Sequence, residues 1–510
     1  MRQCRWGLEK LNAAVLVGIV VVATLAIWVP SAARAGTAPW VAVGDRSLRS
    51  DVELLAAYGL IENLTTTWPI PTEQILHGLA NQKKLDQAPL AVQLAAQRVL
   101  TALAGPDPDH SVHPVAQLQT TNAPAVIRDF GSQARDEADA FAGLNYDAGA
   151  FNASLRVGEQ THYNGSDARF SLDGSYVAAR WSNLQFYGGY LDQWYGPGTS
   201  TSLLLSNNAR PFPKIGVMRA DPTPFQTPWL SWLGPWQFNF FIGDLNGPRQ
   251  DTNTGFVSLR FTFEPVEGLE IGLTRETEIC GKNHPCSPFK DYFSFGNSTN
   301  NVNKVNEEAG IDVKYTRLIY GYSVSPYLQI MNEDTGPVVH SDSSYLVGSS
   351  IAAPWGVNGA HWQLSAEYAN SVPLLNLFDL GKKSHGVAYN NYSYVDGFRY
   401  RGRTLGFSLD SDSRLLSLDG LLIDSAGRSW RLAYRHADIS TSQLAAQQAA
   451  GSTNVNVVSA RPVTLNEVEA GLELPWGPVK LEFTLRAQDR QLYLSDNAHV
   501  AGEFGVRYGF

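Results

Sequence analysis

The stretch 500–510, VAGEFGVRYGF, decides the fold class of this chain. Successive side chains of an extended strand point to opposite faces, so residues of the same parity share a face. One face is apolar or aromatic apart from a glycine, and comprises Val500, Gly502, Phe504, Val506, Tyr508 and Phe510. The opposite face is small or charged, and comprises Ala501, Glu503, Gly505, Arg507 and Gly509. This period of two predicts a β-strand with one continuous apolar face.

The same alternation recurs upstream. It is found in 257–263, 362–368, 468–474 and 479–485. Alternation alone gives each strand an apolar and a polar side, which fits both a soluble β-sandwich and a membrane barrel. The barrel is favoured because the chain ends on Phe510 in mid-strand, as outer-membrane barrels commonly do, and because short turns contrast with long polar connections. The turns are 264–268 (EPVEG) and 475–478 (PWGP), and the long connections are 276–309 and 436–463.

We therefore predict a mainly β protein, a transmembrane antiparallel β-barrel in the cell outer membrane, with its body at 141–510. At roughly 20 residues per strand and connection, this body provides about 18 strands. The barrel must close, because an open sheet edge leaves backbone groups unpaired in lipid. The polar strand faces carry charges of both signs, which predicts a lumen rich in ion pairs instead of an ion-selective pore. These charged residues are Arg260, Glu264, Lys314, Glu367, Arg431, Arg435, Glu469, Lys480, Arg486 and Arg507.

The composition agrees with strands that have two unlike sides. Of the 510 residues, 17% are charged and 11% are aromatic, whereas a typical soluble domain has about 25% charged residues. The net charge of -9 argues against nucleic-acid binding, which requires a basic surface. The hydrophobic content of 44% excludes intrinsic disorder.

Residues 1–35 have the organisation of a signal peptide. Basic residues precede an apolar run at 13–29, and small residues then stand at Ala33 and Ala35, where a signal peptidase cleaves after such a pattern. The run is somewhat long, so an uncleaved membrane anchor is the alternative.

Residues 36–140 follow helical periods and predict a small helical region, which the family resemblance described below implies to lie on the periplasmic side. Ser50 and Glu53 have the spacing of a capping box, which predicts a helix start at this point. Pro89 fits the first turn of a further helix. We interpret the segment 113–126, which is rich in Pro, Asn and Gln, as a polar connection.

Cys280 and Cys286 are the cysteines that remain after the signal peptide. In an exported chain, a close pair across a turn predicts a disulfide bond in a surface loop. His284 makes a metal site the alternative, but two cysteines and one histidine lack a fourth ligand. We expect no metal and no other cofactor.

Five strings resemble the capsule assembly Wzi family of outer-membrane proteins. They are WVAVGDRSLRSD (40–51), DQWYGPGTSTSLLLSNNARPFP (192–213), TPWLSWLGPWQF (227–238), YLQIMNEDTG (327–336) and YNNYSYVDGFRYRGRTLGFSLDSDS (389–413). The resemblance implies a barrel of about 18 strands that is occluded by a periplasmic helical bundle and by inward-folded loops. It also implies a lectin-like protein that attaches capsular or extracellular polysaccharide at the cell surface, without catalysis.

Two of these strings combine aromatic rings, which stack on sugars, with groups that hydrogen-bond to sugar hydroxyls. They provide the candidate polysaccharide-binding residues Trp194, Tyr195, Asn208, Arg210, Asp396, Arg399, Tyr400 and Arg401. Tryptophans in barrels mostly lie in the interfacial girdles, and we favour that position for Trp229, Trp232 and Trp236. For Asp410 and Asp412 we favour solvated turn residues over a cation site.

The expected partners are the polysaccharide, outer-membrane lipid and the barrel assembly machinery, with the chain as a monomer. A passive channel (porin) for small solutes is the main alternative, because it shares every feature of the barrel. A barrel enzyme acting on lipid or glycan is less well supported. The adjacent carboxylates Glu333 and Asp334 point to opposite faces of a strand, and the sequence has no G-x-S-x-G elbow.

Overall fold

The computed structural model describes residues 37–105, 111–160, 170–282, 284, 286, 305–333, 342–376, 379–383, 385–442, 454–490, 492 and 498–509. The expected signal peptide at 1–35 and the terminal Phe510 lie outside these residues. Within the described ranges, no helix is both long and apolar enough to cross a membrane.

Antiparallel strands of the described residues close into one barrel. Eighteen strands form its wall. They are β1 (Val112–Thr121), β2 (Ala138–Ala148), β3 (Phe151–Gln160), β4 (Tyr176–Trp181), β5 (Leu184–Tyr190), β6 (Pro213–Arg219), β7 (Trp236–Asp244), β8 (Gly255–Val266), β9 (Leu269–Ile279), β10 (Val305–Tyr315), β11 (Tyr322–Glu333), β12 (Ser343–Trp355), β13 (Ala360–Asn376), β14 (Arg414–Ile423), β15 (Ser429–Ile439), β16 (Val463–Trp476), β17 (Val479–Gln488) and β18 (His499–Tyr508). The barrel closes between β18 and β1, where Val506 pairs with Leu118. The predicted fold class is confirmed.

Short strands extend the pairing of three hairpins beyond the wall. They are Phe170–Ser171 beside β3, Arg317–Ile319 beside β11 and Asp379–Lys383 beside β13.

The wall begins earlier than the boundary expected at residue 141. Its first strand, β1, occupies a segment that we interpreted as a polar connection of the helical region at 36–140. In β1 Val112 and Leu118 are exposed on the outer face, whereas His113 is buried inside. Pro114 lies beyond the part of β1 that pairs with β18, at a position where its missing N–H is tolerated.

The wall has an apolar outer face and a charged inner face. In β16 and β17, Val468 and Leu485 are exposed, whereas their sequence neighbours Glu469 and Arg486 are buried and oppose each other across the two strands. An apolar band outside and a polar interior are the arrangement of a barrel in lipid.

Tryptophans form a belt at the end of the barrel where the turns are short. Six of them are 40–74% exposed: Trp181, Trp229, Trp232, Trp355, Trp430 and Trp476. Short turns of outer-membrane barrels lie on the periplasmic side, and aromatic residues form a girdle at each interface. The exposure of Trp229 and Trp232 agrees with the girdle interpretation. Trp236 is less exposed, because the ring of Phe225 stacks on it at a centroid distance of 4.4 Å and the guanidinium of Arg219 lies 3.8 Å from its ring centroid.

A helical bundle precedes the wall. Its helices are α1 (Arg46–Ala57), α2 (Thr72–Leu79), α3 (Gln82–Asp86) and α4 (Leu90–Ala104). α1 begins after Asp45, whose carboxylate accepts a hydrogen bond of 2.9 Å from the N–H of Leu48. The predicted capping box at Ser50 and Glu53 is therefore wrong, since both residues lie inside α1. α4 begins directly after Pro89.

The bundle lies in the end of the lumen where the turns between strands are short, and charged wall residues bind it there. Lys480 of β17 pairs with Asp45 at 2.8 Å. Glu270 of β9 accepts hydrogen bonds from the N–H groups of Thr65 and Thr66, at 2.9 and 3.0 Å. Charges of the lumen thus hold the bundle as well as one another.

Candidate functional site

Three connections from the opposite, outer end of the barrel fold into the lumen above the bundle. We call them the first, second and third inward connections: 122–137, 191–212 and 385–413. The side-chain amide of Asn207 donates to the carbonyls of Phe130 and Gly131, at 3.1 and 3.0 Å. The hydroxyl of Tyr389 donates to the carbonyl of Leu203 at 2.6 Å. The inward connections therefore form one packed unit, and the lumen is filled from both ends.

Two wall side chains hold the second inward connection. Glu367 of β13 accepts hydrogen bonds from the N–H groups of Thr199 and Ser200, at 2.5 and 3.0 Å. Gln329 of β11 donates to the carbonyl of Tyr195 at 2.7 Å. The strand pattern indicated that Glu367 faces the lumen, but nothing in the sequence indicated which backbone it would bind.

Asp129 of the first inward connection joins α1 to the wall. Its Oδ2 accepts hydrogen bonds from Arg431 and Arg435 of β15, each at 2.8 Å, and its Oδ1 pairs with Arg46 at 2.7 Å. Burial alone would raise the pKa of Asp129, but the three arginines hold this pKa below its usual range. Sequence reasoning missed Asp129, because two of these partners are distant in the chain and no motif marks the contact.

Trp194 and Tyr195 lie deep inside the protein, with 0% of either residue exposed. They form a two-residue strand that pairs with Thr67–Trp68 of the bundle region. The indole N–H of Trp194 donates to the carbonyl of Gly198 at 3.0 Å. These rings pack the second inward connection against the bundle, so the predicted stacking on a surface polysaccharide does not fit their position.

Asn208 and Arg399 are also buried and use their polar atoms within the protein. The side-chain amide of Asn208 donates to the carbonyl and hydroxyl of Thr404, at 2.9 and 3.0 Å. Arg399 donates to both oxygens of Asp410, at 3.1 and 2.7 Å. Asn208 thus connects the second and third inward connections, whereas Arg399 holds the third connection together internally. Asp410 and Asp412 are fully buried, so the interpretation as solvated turn residues is wrong.

The other candidates lie towards the outer end of the barrel. Here charged side chains form the outer cluster, which comprises Asp173, Arg210, Arg249, Asp396 and Arg401. Arg210 pairs with Asp173 at 3.1 Å, and Arg249 lies 3.6 Å from Asp396. The four side chains are partly accessible, between 5 and 22%. They offer guanidinium and carboxylate groups that are already held in place by ion pairs.

Arg401 differs from the other members of the outer cluster. Its guanidinium lies 5.5 Å from the ring centroid of Tyr400, which is itself nearly buried. In the part of the chain that the structure describes, Arg401 forms no ion pair. Gly247 faces both side chains, since a Cβ there would lie 3.7 Å from Tyr400 and 3.8 Å from Arg401. Arg401 is thus a positioned cation that is available to an external anion.

An exposed ring that the sequence analysis did not select lies near these residues in the chain. Tyr392 of the third inward connection is 60% exposed. Tyr392 belongs to the string 389–413, so the sequence feature that could have identified it is the string that also contains Asp396 and Arg401. An exposed tyrosine ring provides the flat surface that a sugar stacks on.

Cys280 and Cys286 are bonded to each other in the structure. The carbonyl of Cys280 accepts a hydrogen bond of 2.8 Å from the hydroxyl of Tyr394, whose ring stacks on His284 at a centroid distance of 3.9 Å. The cysteine loop therefore packs on the third inward connection, and His284 contacts a tyrosine.

A closed barrel with an apolar outer face, a tryptophan belt and a filled lumen defines an occluded outer-membrane β-barrel protein. This chain belongs to the family of the capsule assembly protein Wzi, whose family model matches residues 109–492. The matched range begins just before β1 and covers most of the wall. The predicted family and the predicted location in the outer membrane are confirmed.

Two similar proteins come from enteric bacteria. A Klebsiella pneumoniae protein described as an uncharacterized 55.8 kDa protein in the cps region is 29% identical over 334 residues. The match covers 64% of this chain and 64% of that protein, so this chain spans less than two thirds of the relative's length. A solved Escherichia coli structure is described as Wzi, an outer membrane protein involved in group 1 capsule assembly and a carbohydrate-binding β-barrel. It has a TM-score of 0.77 and 24% identity, and the alignment covers 92% of this chain and 99% of that one.

Proposed function

We propose that this protein attaches exported capsular or extracellular polysaccharide to the cell surface, as a lectin-like binding protein without a catalytic step. Its membership of the capsule assembly family supports this role, and the similar Escherichia coli protein is described as carbohydrate-binding. We further propose that it works as a monomer surrounded by outer-membrane lipid, after insertion by the barrel assembly machinery.

One observation carries the proposal. The bundle and the inward connections fill the lumen, while Arg401, at the outer end, forms no ion pair with any residue that the structure describes. A guanidinium that is free to bind a carboxylate forms charge-assisted hydrogen bonds, which contribute about 1.5–3 kcal/mol each. Tyr392 adds an exposed ring for stacking. This chemistry favours an acidic polymer, whereas a neutral polymer would depend on stacking and neutral hydrogen bonds alone.

Retention of polysaccharide by cells tests the proposal. A deletion strain is complemented with the wild type, Arg401→Gln or Tyr392→Ala, and bound and shed polysaccharide are quantified. Arg428→Gln and Tyr320→Ala are matched controls, because both residues are exposed at the periplasmic turns. We expect the deletion and the two outer variants to shed more polymer, and the controls to behave as wild type. Equal retention in the deletion strain and the wild type would reject the attachment role.

Purified protein on a glycan array tests the same proposal in the absence of other cell-surface components. We expect binding to acidic glycans that falls with Arg401→Gln. Planar-bilayer recordings test the alternative function as a porin. An occluded lumen predicts no large, stable conductance steps, and such steps together with unchanged polymer retention would favour the channel.

A further inference from the structure

A cavity of about 260 Å³ lies inside the barrel, between the bundle, the first inward connection and the inner faces of β1 to β3. His113, Arg128, Gln133, Tyr176 and Asn207 are among its lining residues. None of them belongs to the outer cluster. Small-molecule sites commonly have about 300–1,000 Å³, so this cavity lies just below that range and restricts a ligand to roughly the size of one sugar residue.

Arg128 is the most unusual residue of the lining. Only 3% of it is exposed, and it forms no ion pair within the described ranges. One guanidinium nitrogen donates to the carbonyl of Ala134 at 3.1 Å, and Nε has no partner. Burial, and then the nearby Arg403 and Arg135, lower the pKa of Arg128. A buried cation next to other cations is a site that favours an anion.

The carboxylates of the lining offset the burial of Arg128 only in part, chiefly through Asp139, and within the described ranges none of them forms an ion pair with it. Asp192 pairs with Arg135 at 3.2 Å, and Asp173 pairs with Arg210 at 3.1 Å. Asp45 pairs with Lys480 at 2.8 Å. Asp147 accepts a hydrogen bond of 2.7 Å from Asn152, and Asp139 accepts one of 2.6 Å from the N–H of Arg135.

Further buried polar groups of the lining lack a hydrogen-bond partner among the described residues. They are both amide atoms of Gln133, the side-chain oxygen of Asn207 and both ring nitrogens of His113. All three residues are more than nine-tenths buried. Buried polar groups are nearly always hydrogen-bonded. Donors and acceptors of this kind match the hydroxyl groups of a sugar.

The cavity also offers an aromatic surface and a connection to the outer cluster. Tyr176 lines it, and its ring lies 4.8 Å from that of Trp40, which fixes its orientation. Asp173 lines the cavity at its outer end and also pairs with Arg210 of the outer cluster. A polymer that binds at the outer cluster therefore has one of its residues near Asp173, which borders this cavity.

We infer that the cavity is a subsite for one acidic sugar residue of the polysaccharide. The sugar carboxylate pairs with Arg128, its hydroxyl groups bind Gln133 and Asn207, and its apolar face lies against Tyr176. The inference rests on the proposed function, because this sugar is a part of the polymer that the protein attaches.

Ligand-observed NMR with the purified full-length protein in detergent tests the subsite. The probes are galacturonate, glucose and inorganic phosphate. The variants are Arg128→Gln and Gln133→Leu, and Arg428→Gln is the control, because Arg428 lies in an exposed turn and does not line the cavity. Gln133→Leu breaks no hydrogen bond within the described part of the chain, because the side-chain amide of Gln133 forms none there. The folding of each variant is checked by its heat-modifiable electrophoretic mobility. If Arg128→Gln does not fold, Gln133→Leu still tests the subsite.

We expect galacturonate to bind the wild type and the control, and its affinity to fall at least about tenfold in Arg128→Gln and measurably in Gln133→Leu. Wild-type affinity in both folded variants would overturn the inference. If glucose binds as tightly as galacturonate, the subsite does not require an acidic sugar. If phosphate displaces galacturonate completely, the subsite does not require a sugar.

If the polymer binds on the glycan array but galacturonate does not bind, the subsite is wrong and the proposed function stands. If galacturonate binds and cells retain polymer without the protein, the proposed function is wrong.

Discussion

Lys314 of the barrel wall and Glu53 of α1 form an ion pair of 3.0 Å, between Nζ and Oε1, inside the lumen. Burial alone would raise the pKa of Glu53, but Lys314 and Arg49 lower it to about 2. The carboxylate therefore stays charged at neutral pH, and it binds the bundle to a wall strand that is distant in sequence.

Acidic pH should weaken the binding of the bundle to the barrel wall, because it protonates Glu53. The pKa of Glu53 is about 2 in the folded protein against an ordinary 4.5. The stability that its ionised form contributes is therefore present above pH 4.5 and is lost as the pH falls towards 2. We expect pepsin to cleave the bundle faster across this range in the wild type, and with a shallower pH dependence in Glu53→Gln. The same pH dependence in both proteins would contradict this role of Glu53.

Removal of the Asp129 carboxylate should destabilise the packed lumen. Asp129→Asn leaves the buried Arg431 and Arg435 with less compensation and weakens the bond to Arg46, which is expected to cost about 3 kcal/mol. The measurement is the temperature at which the heat-modifiable band of the folded barrel is lost. Asp424→Asn is the control, because Asp424 pairs with the exposed Arg428 and such surface pairs contribute about 0–1 kcal/mol. An equal shift in both variants would show that Asp129 has no special role.

The sequence predicted the strands wherever the two faces differ strongly. In β16 the alternation of Val468 with Glu469 correctly gave both the strand and its orientation. β1 was missed, because Pro114 and Gln117 resemble a linker, although the outward Val112 and Leu118 follow the same period. The number of strands was predicted from the chain length. Closure of the barrel was predicted because an open sheet edge leaves backbone groups unpaired in lipid. Neither prediction depends on individual residues.

The site was less predictable than the wall. The strings at 192–213 and 389–413 did identify the inward connections, but their chemistry did not show which side chains face outward. Trp194 is covered by Phe130, whose ring centroid lies 5.4 Å away. Arg399 is bound by Asp410 in the same string. Such burial depends on how loops meet inside the barrel, and no local pattern in one sequence encodes that contact.

The disulfide between Cys280 and Cys286 gives a chemical test of the outer surface. We expect denatured, unreduced protein to show no reactive thiol after removal of the signal peptide, and reduction to reveal two labels per chain. Two labels before reduction would contradict the bond. A matched measurement on the double Cys→Ser variant reports the background labelling of Cys4, if the N-terminal segment is retained.

Glu367 should control the order of the second inward connection. Its carboxylate accepts hydrogen bonds from the backbone of Thr199 and Ser200, and also from the hydroxyl of Tyr327 at 2.7 Å. In Glu367→Gln an amide nitrogen replaces one acceptor and faces these donors, so at least one buried N–H loses its partner. We expect hydrogen exchange at Thr199 and Ser200 to become at least about tenfold faster, since an unsatisfied buried group costs about 1–3 kcal/mol. Amides of the wall strand β11 are the internal control and should keep their protection. Unchanged exchange at Thr199 and Ser200 would mean that packing against the bundle, and not Glu367, holds the connection in the lumen.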